Sequence, residues 1–461
     1  MDAINKMAVD IGSWLWGPPM LVILVGGGLW MTFALDFVQF RHFRFIMRET
    51  LGKLLKPDEG GEGTVSALQA TTSALANTVG ASNIIGVPVA IALGGPGAVF
   101  WMWLSGLTGL AIKWSEIALG VAYRELDPAD NTFVGGPAHY LSKGLKKTKW
   151  LGGIFAFFLM VEIAPSVGSQ VVAAAENAAV VGVPHIVTGV VIVILAGLVL
   201  FGGIRRIGKV TEKMIPGMVV LYISIAWIVI LLNIANVPKV IALIFKSAFS
   251  PIAATGGFVG AGFAAAARWG IARSVYSNEA GMGQAAIAHS AAITDHPGRQ
   301  GMWAMFEVVV DTFIVCTTTA FLVLSTGVWT ALGPDLASTM PAVAIGNVIG
   351  QTFAEYFIAI SMLLFVFSTV IGNAFYGEQM ARYLFGYKFS KVMLVVYLAV
   401  GIIASTSDLR TVYNYLDILL AFVVIPNVIG VVLMTKKCQE IKKDFFDNPK
   451  YVPQKKVKET H

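Results

Sequence analysis

The chain has 461 residues, of which 56% are hydrophobic and 13% are charged, and its mean hydropathy is +0.73. Soluble domains carry about 25% charged residues, so this composition excludes a soluble globular protein. An aromatic content of 11% excludes a disordered chain, and two cysteines are too few for a disulfide-rich secreted scaffold. The net charge is +6. We therefore predict an all-α polytopic membrane protein.

A hydrocarbon core of ~30 Å requires ~20 apolar residues per crossing helix. A window of that length predicts eleven spans, numbered here in chain order, with ends accurate to a few residues. They cover residues 16–38, 67–93, 97–121, 151–180, 183–202, 213–233, 262–292, 302–326, 353–377, 392–408 and 412–435. Span 1 is not expected to be a cleaved signal peptide, because the region before it is not basic and no small-residue cleavage site follows it.

Basic residues predict the orientation, because cytoplasmic loops are enriched in Lys and Arg. The loops after spans 1, 3, 5, 7 and 9, together with the C-terminal tail, carry 25 Lys and Arg residues. The N-terminus and the opposite loops carry four. This bias predicts a cell-membrane protein with its N-terminus outside and its C-terminal tail, residues 436–461, in the cytoplasm. The Lys-rich tail is expected to be solvated near anionic lipid, and no nucleic-acid partner is predicted.

Spans 2 and 7 are both interrupted by glycine and polar residues, at 76–86 and at 276–283. The pattern Ser-Asn-x-x-Gly occurs in each interruption, at 82–86 and at 277–281. Each of these spans opens a block of five, and since five is odd the second block must run with inverted topology. Interrupted segments at matching positions of two inverted halves indicate a transport site near the membrane midplane.

Interrupted helices point to function because unwinding frees backbone N–H and C=O groups inside the membrane. Each freed group costs several kcal/mol unless a cavity or a ligand satisfies it. Freed N–H groups at a helix N-terminus can hold a carboxylate, and freed carbonyls can coordinate a small cation. Close helix packing between small residues is the alternative explanation for span 2 alone. The matching break in span 7, which contains Glu279, favours a functional explanation.

Several longer motifs are shared with a known family. Residues 94–103, with the sequence GGPGAVFWMW, resemble the signature of the alanine/glycine:cation symporter family, the sodium:alanine symporters. SNEAG at 277–281, FST at 367–369 and YGE at 376–378 fit the same family. The resemblance runs from span 1 to span 11. One departure from the family pattern is Asn373-Ala374-Phe375, which stands where many relatives have Trp-Ser-Tyr. If this segment lines the substrate pocket, the shape of the pocket differs from that of those relatives.

This resemblance implies a leucine-transporter-like fold within one membrane transport domain, residues 1–461. An extra helix at 16–38 would precede two inverted five-helix repeats, at 67–233 and 262–435. Family members take up alanine or glycine with a co-transported cation, usually sodium. The resemblance therefore implies a sodium-coupled symporter, not an enzyme, that imports alanine, also glycine, and potentially either alanine enantiomer.

The resemblance also implies a substrate site. The pattern Asn-x-x-Gly-x-x-Asn at 77, 80 and 83 resembles the broken first core helix of that fold. By this resemblance the N–H groups of Ala81 and Ser82 hold the substrate carboxylate, and carbonyls of Thr78 and Tyr276 face its ammonium. The full predicted set is Thr78, Gly80, Ala81, Ser82, Gln170, Tyr276, Ser277, Asn278, Glu279, Gly281 and Met282. Met282, Ile84 and the small residues around Gly80 predict a small apolar cavity.

Two sodium sites follow from the same resemblance. The first would use Thr78, Asn83 and Ser277, with Asp311 and Thr312 beside it, unless those two form a buried structural pair. The second would use carbonyls of Ala76 and Val79 and hydroxyls of Ser368 and Thr369. Without the resemblance, these two hydroxyls are expected to bond back to the preceding turn. No cofactor other than co-transported Na⁺ is predicted, and six scattered histidines predict no transition-metal site.

Other functions remain as alternatives. Within transport, the alternative is a proton-coupled or cation-independent permease, in which Glu279 or Asp311 would carry the proton. Glu162 and Gln170 are candidates to line the pocket, and Glu307 is a candidate to pair with a neighbouring helix. A channel is disfavoured because the chain has no repeated pore motif. ATP-driven transport and hydrolysis are disfavoured because there is no GxxxxGK[ST], HExxH or supported GxSxG motif.

Overall fold

The computed structural model describes residues 11–12, 14–54, 60–250, 262–407 and 409–452. The expectations for the first ten residues, for 251–261 and for the end of the tail lie outside these ranges. Helices α1 to α20 are, in chain order, Pro18–Ala34, Val38–Arg41, Phe43–Glu49, Ala67–Thr78, Ser82–Gly94, Ala98–Ala122, Pro137–Gly144, Trp150–Val180, His185–Leu200, Gly203–Leu232, Val237–Phe249, Phe263–Asn278, Ala285–His289, Pro297–Ser325, Val328–Ala331, Met340–Ile349, Gln351–Phe385, Tyr387–Ala404, Leu409–Leu433 and Thr435–Phe446. Short 3₁₀ turns lie at Leu51–Lys53, Ile234–Asn236 and Pro334–Thr339, and strands β1 and β2 are Glu125–Asp127 and Thr132–Val134.

Six of the described helices are long and apolar enough to cross a membrane: α8, α10, α14, α17, α18 and the 416–433 part of α19. The pair α4 and α5 passes the same criterion together, with a bend of 48° at the break between them. Helices also lie at predicted spans 1, 3, 5 and 7, but α1 and α9 are shorter apolar helices. A multi-pass helical membrane protein is therefore confirmed, whereas the count of eleven crossings and the inverted repeats stay predictions.

The broken pair α4–α5 lies inside the bundle. Helix α4 packs against α10, α17, α13 and α14, while α12 packs against α5 and α6. Helix α8 packs along α17 and α19. Gly372 on α17 permits the closest approach to α4, because a Cβ there would lie 2.7 Å from the Cβ of Asn77. The break is thus enclosed by α8, α10, α12, α14 and α17.

The described chain is mostly helical, as expected, but it also contains one short β-hairpin that the sequence does not predict. The loop at 122–150 contains an antiparallel hairpin in which Glu125 pairs with Val134 and Asp127 with Thr132. Asn131 adopts a left-handed φ of 57° in the connecting turn, a conformation that asparagine tolerates well. Each strand has three residues. Such strands are too short for an alternating apolar pattern to reveal them.

Arg382, near the end of α17, ties this hairpin to the bundle. Its Nε lies 2.6 Å from Oδ2 of Asp127, and its two terminal nitrogens donate to the two carboxylate oxygens of Asp130 at 2.8 and 2.9 Å. A bidentate guanidinium–carboxylate pair of this kind fixes both distance and orientation. A cavity of about 240 Å³ lies between the hairpin and α17, lined by Glu125, Asp127, Val134, Gly135, His139, Gln379, Arg382 and Tyr383.

Replacing Arg382 with glutamine is expected to loosen the hairpin at neutral pH. The hydrogen bond from Arg382 lowers the pKa of Asp127. Burial acts to raise the pKa of Asp130, but hydrogen bonds from Arg382 and Thr132 outweigh it and lower that pKa too. Because both folded-state pKa values are depressed, this stabilisation is present above the unfolded value of about 3.9 and is lost as the pH falls through the folded value.

Amide hydrogen exchange of residues 125–134 measures this effect. Arg382→Gln should lower protection by about tenfold or more at pH 7, the equivalent of at least ~1.4 kcal/mol. The difference from the unmodified protein should persist at pH 5. Lys143→Gln is the matched control, because Lys143 forms an exposed ion pair with Glu125 of the hairpin. This substitution should change the protection of residues 125–134 very little. Equal protection in Arg382→Gln and the unmodified protein would contradict this role for Arg382.

Candidate functional site

The two helix breaks lie where the sequence predicts them. Helix α4 ends at Thr78, Val79 leaves the helical conformation with φ −88° and ψ 86°, and α5 begins with a π-helical turn at Ser82–Gly86. Helix α12 ends at Asn278, and Glu279 takes a left-handed φ of 57°. Gly281 and Gly283 follow with φ of 96° and 75°, which favour glycine. Both breaks therefore expose backbone groups within the bundle.

Side chains join the two breaks directly. The Asn77 amide donates a hydrogen bond to Oε1 of Glu279. The Asn83 amide donates to the Ser277 hydroxyl at 3.0 Å. One cross-link lies before the first break and the other after it, and these side chains are buried. The break in α4–α5 and the end of α12 thus form a single site. We call this site the paired breaks.

An oxygen-rich cluster surrounds Asn83. The Asn83 amide donates to Oδ1 of Asp311 at 2.6 Å, and the Ser277 hydroxyl donates to the same oxygen at 2.8 Å. The Thr312 hydroxyl donates to Oδ2 of Asp311 at 2.9 Å, while the side-chain oxygen Oδ1 of Asn83 accepts from the N–H of Gly80 at 2.9 Å. The structure therefore brings together four of the predicted first-sodium residues. Carboxylate, hydroxyl and amide oxygens are the ligands that hard cations prefer.

The predicted second sodium site lies on the other side of the first break. A Cβ on Gly80 would lie 2.3 Å from Oγ1 of Thr369, so this hydroxyl sits directly against the break. Both Ser368 and Thr369 donate to the Phe365 carbonyl, at 2.7 and 2.9 Å. A hydroxyl that donates keeps lone pairs free to accept. Bonding back to the preceding turn and cation binding are therefore compatible at these two residues.

A small buried cavity of about 20 Å³ lies between the paired breaks, α8 and α17. It is lined by Asn77, Ser82, Glu162, Ser166, Gln170, Tyr276, Glu279, Met282, Gln284, Thr369 and Asn373. Met282 and the ring of Tyr276 are the apolar groups in this set, and Ile84 is buried without lining the cavity. The expectation of an apolar cavity is therefore wrong. The residues near the break are locally apolar, but α8 and α17 supply a polar wall from distant parts of the chain.

The predicted substrate residues separate into three groups. Ser82, Gln170, Tyr276, Glu279 and Met282 line the cavity. The N–H of Ala81 borders it and donates to the Gln170 side chain at 3.4 Å. Two more residues, Thr78 and Gly80, belong to the first break itself. Thr78 is buried at the end of α4, and Gly80 lies against the Thr369 side chain.

Three predicted substrate residues face elsewhere. Ser277 belongs to the cluster around Asn83. The Asn278 side chain donates to Ser274 and Thr312. Gly281 packs against Leu24 and Val428, and its carbonyl accepts from Asn427. A substrate role for these three rests on the family resemblance alone.

Several cavity residues are absent from the predicted substrate set. They are Asn77, Glu162, Ser166, Gln284, Thr369 and Asn373. Glu162 was a candidate to line the pocket, Thr369 was a sodium candidate, and Asn373 belongs to the segment that departs from the family pattern. Polar side chains inside an apolar span are the signal that these residues share. That signal alone does not indicate which face of each helix meets the cavity.

A buried network centred on Lys113 supports the second break. Lys113 is 0% exposed, and its ammonium donates to the Asn278 carbonyl at 2.9 Å. It also lies 3.6 Å from a carboxylate oxygen of Glu307 and 3.9 Å from one of Glu279. His289 hydrogen-bonds Glu307, and Gln300 donates to the other ring nitrogen of His289 at 2.6 Å. Lys113 thus balances two carboxylates on neighbouring helices.

Acidic groups outnumber basic ones around the paired breaks. The buried carboxyl groups there are those of Glu116, Glu162, Glu279, Glu307 and Asp311. Within the described residues, Lys113 is the fully buried lysine that faces them. In the same ranges no three His, Cys, Asp or Glu side chains are grouped to hold a metal ion. Unbalanced buried charge is costly, so this site favours a cation.

Known proteins share this chain's sequence and fold. The family model described as the sodium:alanine symporter family matches residues 1–459. YflA of Bacillus subtilis strain 168, an uncharacterised transporter, is 45% identical over 458 residues, which cover 98% of this chain and 95% of YflA. The sodium/alanine symporter AgcS of Methanococcus maripaludis is 37% identical over 462 residues, which cover 97% of this chain and 100% of AgcS.

The crystal structure of MhsT in complex with L-phenylalanine matches with a TM-score of 0.60 at 13% identity. That match covers 84% of this chain and 94% of MhsT, and it shows a leucine-transporter-like fold. These comparisons confirm the resemblance found in the sequence and the assignment to transporters, not enzymes. The chain belongs to the sodium:alanine symporter family.

Proposed function

We propose that this protein is a sodium-coupled secondary active symporter. It imports a small neutral amino acid by alternating access, with alanine as the first candidate, glycine as the second, and either alanine enantiomer accepted. Family membership supports amino-acid and cation symport in general. The sodium ion and the substrate are the proposed part. The excess of buried carboxyl groups around the paired breaks carries this proposal.

Charge balance supports cation coupling. Five buried carboxyl groups surround the paired breaks, and two of them, those of Glu279 and Glu307, lie within 4 Å of the Lys113 ammonium. Removing one partner of a buried ion pair costs about 3–5 kcal/mol, because a charge is left uncompensated. We assign one sodium ion to Thr78, Asn83 and Ser277, supported by Asp311 and Thr312. A second lies between the carbonyls of Ala76 and Val79 and the hydroxyls of Ser368 and Thr369.

The geometry also explains how ion and substrate would depend on each other. The side-chain oxygen Oδ1 of Asn83 accepts a hydrogen bond from the N–H of Gly80. Gly80 directly precedes Ala81 and Ser82, whose N–H groups are assigned to the substrate carboxylate. A cation that orders Asn83 therefore also orders Ala81 and Ser82. Such coupling is reciprocal, since a ligand that stabilises one arrangement raises the affinity for the other. The substrate ammonium would lie near the Thr78 and Tyr276 carbonyls and the Glu279 carboxylate.

The proposed topology places the extra helix at 16–38 and the inverted repeats at 67–233 and 262–435, within one transport domain in the cell membrane. The N-terminus lies outside and the tail from 436 onward lies in the cytoplasm. The strong bias of Lys and Arg toward one set of loops supports this orientation. The two broken helices, packed side by side, support the pairing of the repeats.

Uptake of radiolabelled alanine into proteoliposomes tests the proposal. An inward sodium gradient is compared with an inward potassium gradient at the same pH, with protein-free liposomes as the control. Concentrative uptake with sodium alone is the expected result. Equal uptake in both salts would contradict sodium coupling. A further dependence on a proton gradient would then favour the proton-coupled alternative through Glu279 or Asp311, and none would favour a cation-independent permease.

Ser368→Ala and Thr369→Ala are each expected to raise the sodium concentration for half-maximal uptake by about tenfold. The physical reason is the loss of one oxygen ligand, which removes about 1–2 kcal/mol from ion binding. Ser361→Ala is the matched control. Ser361 is a buried serine on the same helix, and its hydroxyl has no hydrogen-bond partner among the described residues, so sodium dependence should be unchanged. If folded yield and uptake fall together while sodium dependence is unchanged, the hydroxyls have a structural role only.

A further inference from the structure

The cavity wall formed by α8 and α17 is polar. The Asn373 amide donates to the Ser166 hydroxyl at 3.1 Å, and Glu162 lies one helical turn before Ser166 on α8. All three side chains line the cavity. Oε2 of Glu162 is buried and has no hydrogen-bond partner among the described residues. We call these three residues the α8–α17 wall.

Oε2 of Glu279, the other carboxylate in the cavity, also has no hydrogen-bond partner among the described residues, but Glu279 differs from Glu162 in having a cation nearby. Glu279 accepts from Asn77 and lies 3.9 Å from the ammonium of Lys113. Within the described ranges, no lysine or arginine forms an ion pair with Glu162. A buried acceptor without a donor is costly and rare in folded proteins. Oε2 of Glu162 therefore marks a position where a hydrogen bond from a ligand would be stabilising.

The position of the wall identifies which part of the substrate meets it. In the proposed binding mode the paired breaks hold the α-carboxylate and the α-ammonium, so the opposite wall faces the side chain. A methyl group placed there would cover the Glu162 oxygen and leave it unsatisfied. A hydroxyl or a carboxamide would donate to it and satisfy it. Sites built around such a bond reject analogues that lack the donor far more strongly than sites that sense only size.

We propose that Glu162, Ser166 and Asn373 form a specificity site that selects amino acids with a short side chain carrying a hydrogen-bond donor, such as serine or asparagine. This inference rests on the proposed function, because it assumes that an amino acid binds in this cavity. It refines that function, since polar substrates are then preferred over apolar ones of the same shape. Alanine remains a substrate of lower affinity, because it fits without making the bond.

Matched pairs of amino acids test the proposal in proteoliposomes that contain the full chain. Serine is compared with 2-aminobutyrate, and asparagine with leucine, because the members of each pair differ mainly in polarity. Each is tested as an inhibitor of sodium-driven alanine uptake, and labelled serine uptake is measured in parallel. The polar member should inhibit at a concentration at least about tenfold lower. Equal inhibition within both pairs, with alanine uptake intact, overturns the specificity site but not the symporter.

Failure of the symporter itself gives a different result. If neither alanine nor serine enters with sodium, both proposals are overturned together. Serine uptake without measurable alanine uptake supports the specificity site and corrects the substrate. The outcomes are therefore distinguishable within one set of vesicles.

Two sets of variants locate the preference on the α8–α17 wall. Ser166→Ala removes a hydroxyl from the polar wall and should reduce the serine preference to near unity, with the preference measured as the ratio of the inhibition constants of serine and 2-aminobutyrate so that a general loss of uptake cancels. Ser169→Ala is the matched control, since Ser169 is a buried serine on the same helix that donates to the Ser166 carbonyl and does not line the cavity. An unchanged serine preference in Ser166→Ala would overturn the proposal.

Substitution of Glu162 separates acceptor chemistry from size. Glu162→Gln keeps an acceptor oxygen and should retain most of the preference for serine. In Glu162→Met the new side chain has a similar length but carries only a weakly accepting sulfur in place of the oxygens, so this variant should lose the preference for serine. Size-exclusion profiles establish that both variants fold. Retention of the serine preference in Glu162→Met overturns the assignment of the acceptor to Glu162.

Discussion

Replacing Lys113 with methionine is expected to remove most of the folded protein from the membrane. The substitution keeps the length of the side chain but leaves Glu279 and Glu307 buried without their shared cation. Breaking a buried pair in this way costs about 3–5 kcal/mol, a large share of the ~5–15 kcal/mol that stabilises a typical protein. The yield of monodisperse protein in detergent and its melting temperature measure the loss.

A second substitution distinguishes charge imbalance from lost packing. In Lys113→Met combined with Glu307→Gln, one of the two uncompensated carboxylates is removed, so part of the lost stability should return. Lys213→Met is the matched control, because Lys213 is an exposed lysine on α10 and should change stability by less than ~0.5 kcal/mol. A double variant no more stable than Lys113→Met would contradict the charge-balance explanation.

Gly80→Val is expected to lower substrate affinity by about 100-fold or more. A Cβ at this position would lie 2.3 Å from Oγ1 of Thr369, so the break and α17 would have to separate. Overpacking of this kind costs ~1–3 kcal/mol or more, and here the displacement falls on the proposed binding site. Equilibrium binding of labelled alanine to the purified protein measures the effect directly and separately from transport.

Gly153→Val provides the control for that experiment. Gly153 lies on α8, and a Cβ there would meet no atom within 4 Å. Its affinity should equal that of the unmodified protein. Unchanged affinity in Gly80→Val would show that the substrate does not bind at the first break.

Much of the fold could be predicted from sequence because its signals are local. Runs of ~20 apolar residues predict helices without any knowledge of their neighbours. The breaks at Thr78 and Glu279 were predictable for the same reason, since glycine and polar residues interrupt apolar runs there. The hairpin at Glu125–Asp127 and Thr132–Val134 was not predictable, because each strand is only three residues long.

The candidate site was predictable only where its parts lie near a break. The cluster of Asn83, Ser277, Asp311 and Thr312 was anticipated through the family resemblance. The polar wall was not, because Ser166 and Asn373 are 207 residues apart and meet only in the folded chain. The contact between Lys113 and the Asn278 carbonyl was not predictable either, because the two residues are 165 positions apart in the sequence.

The two cross-links between the breaks restrict how this protein can move. A single hydrogen bond would act as a pivot, about which α4 and α5 could swing relative to α12. Two bonds at separate points, from Asn77 to Glu279 and from Asn83 to Ser277, fix the angle as well as the distance. While both hold, the broken helices travel together. Access to the cavity would then depend on a movement of α8 and α17 relative to this joined pair, rather than on a separation of the pair.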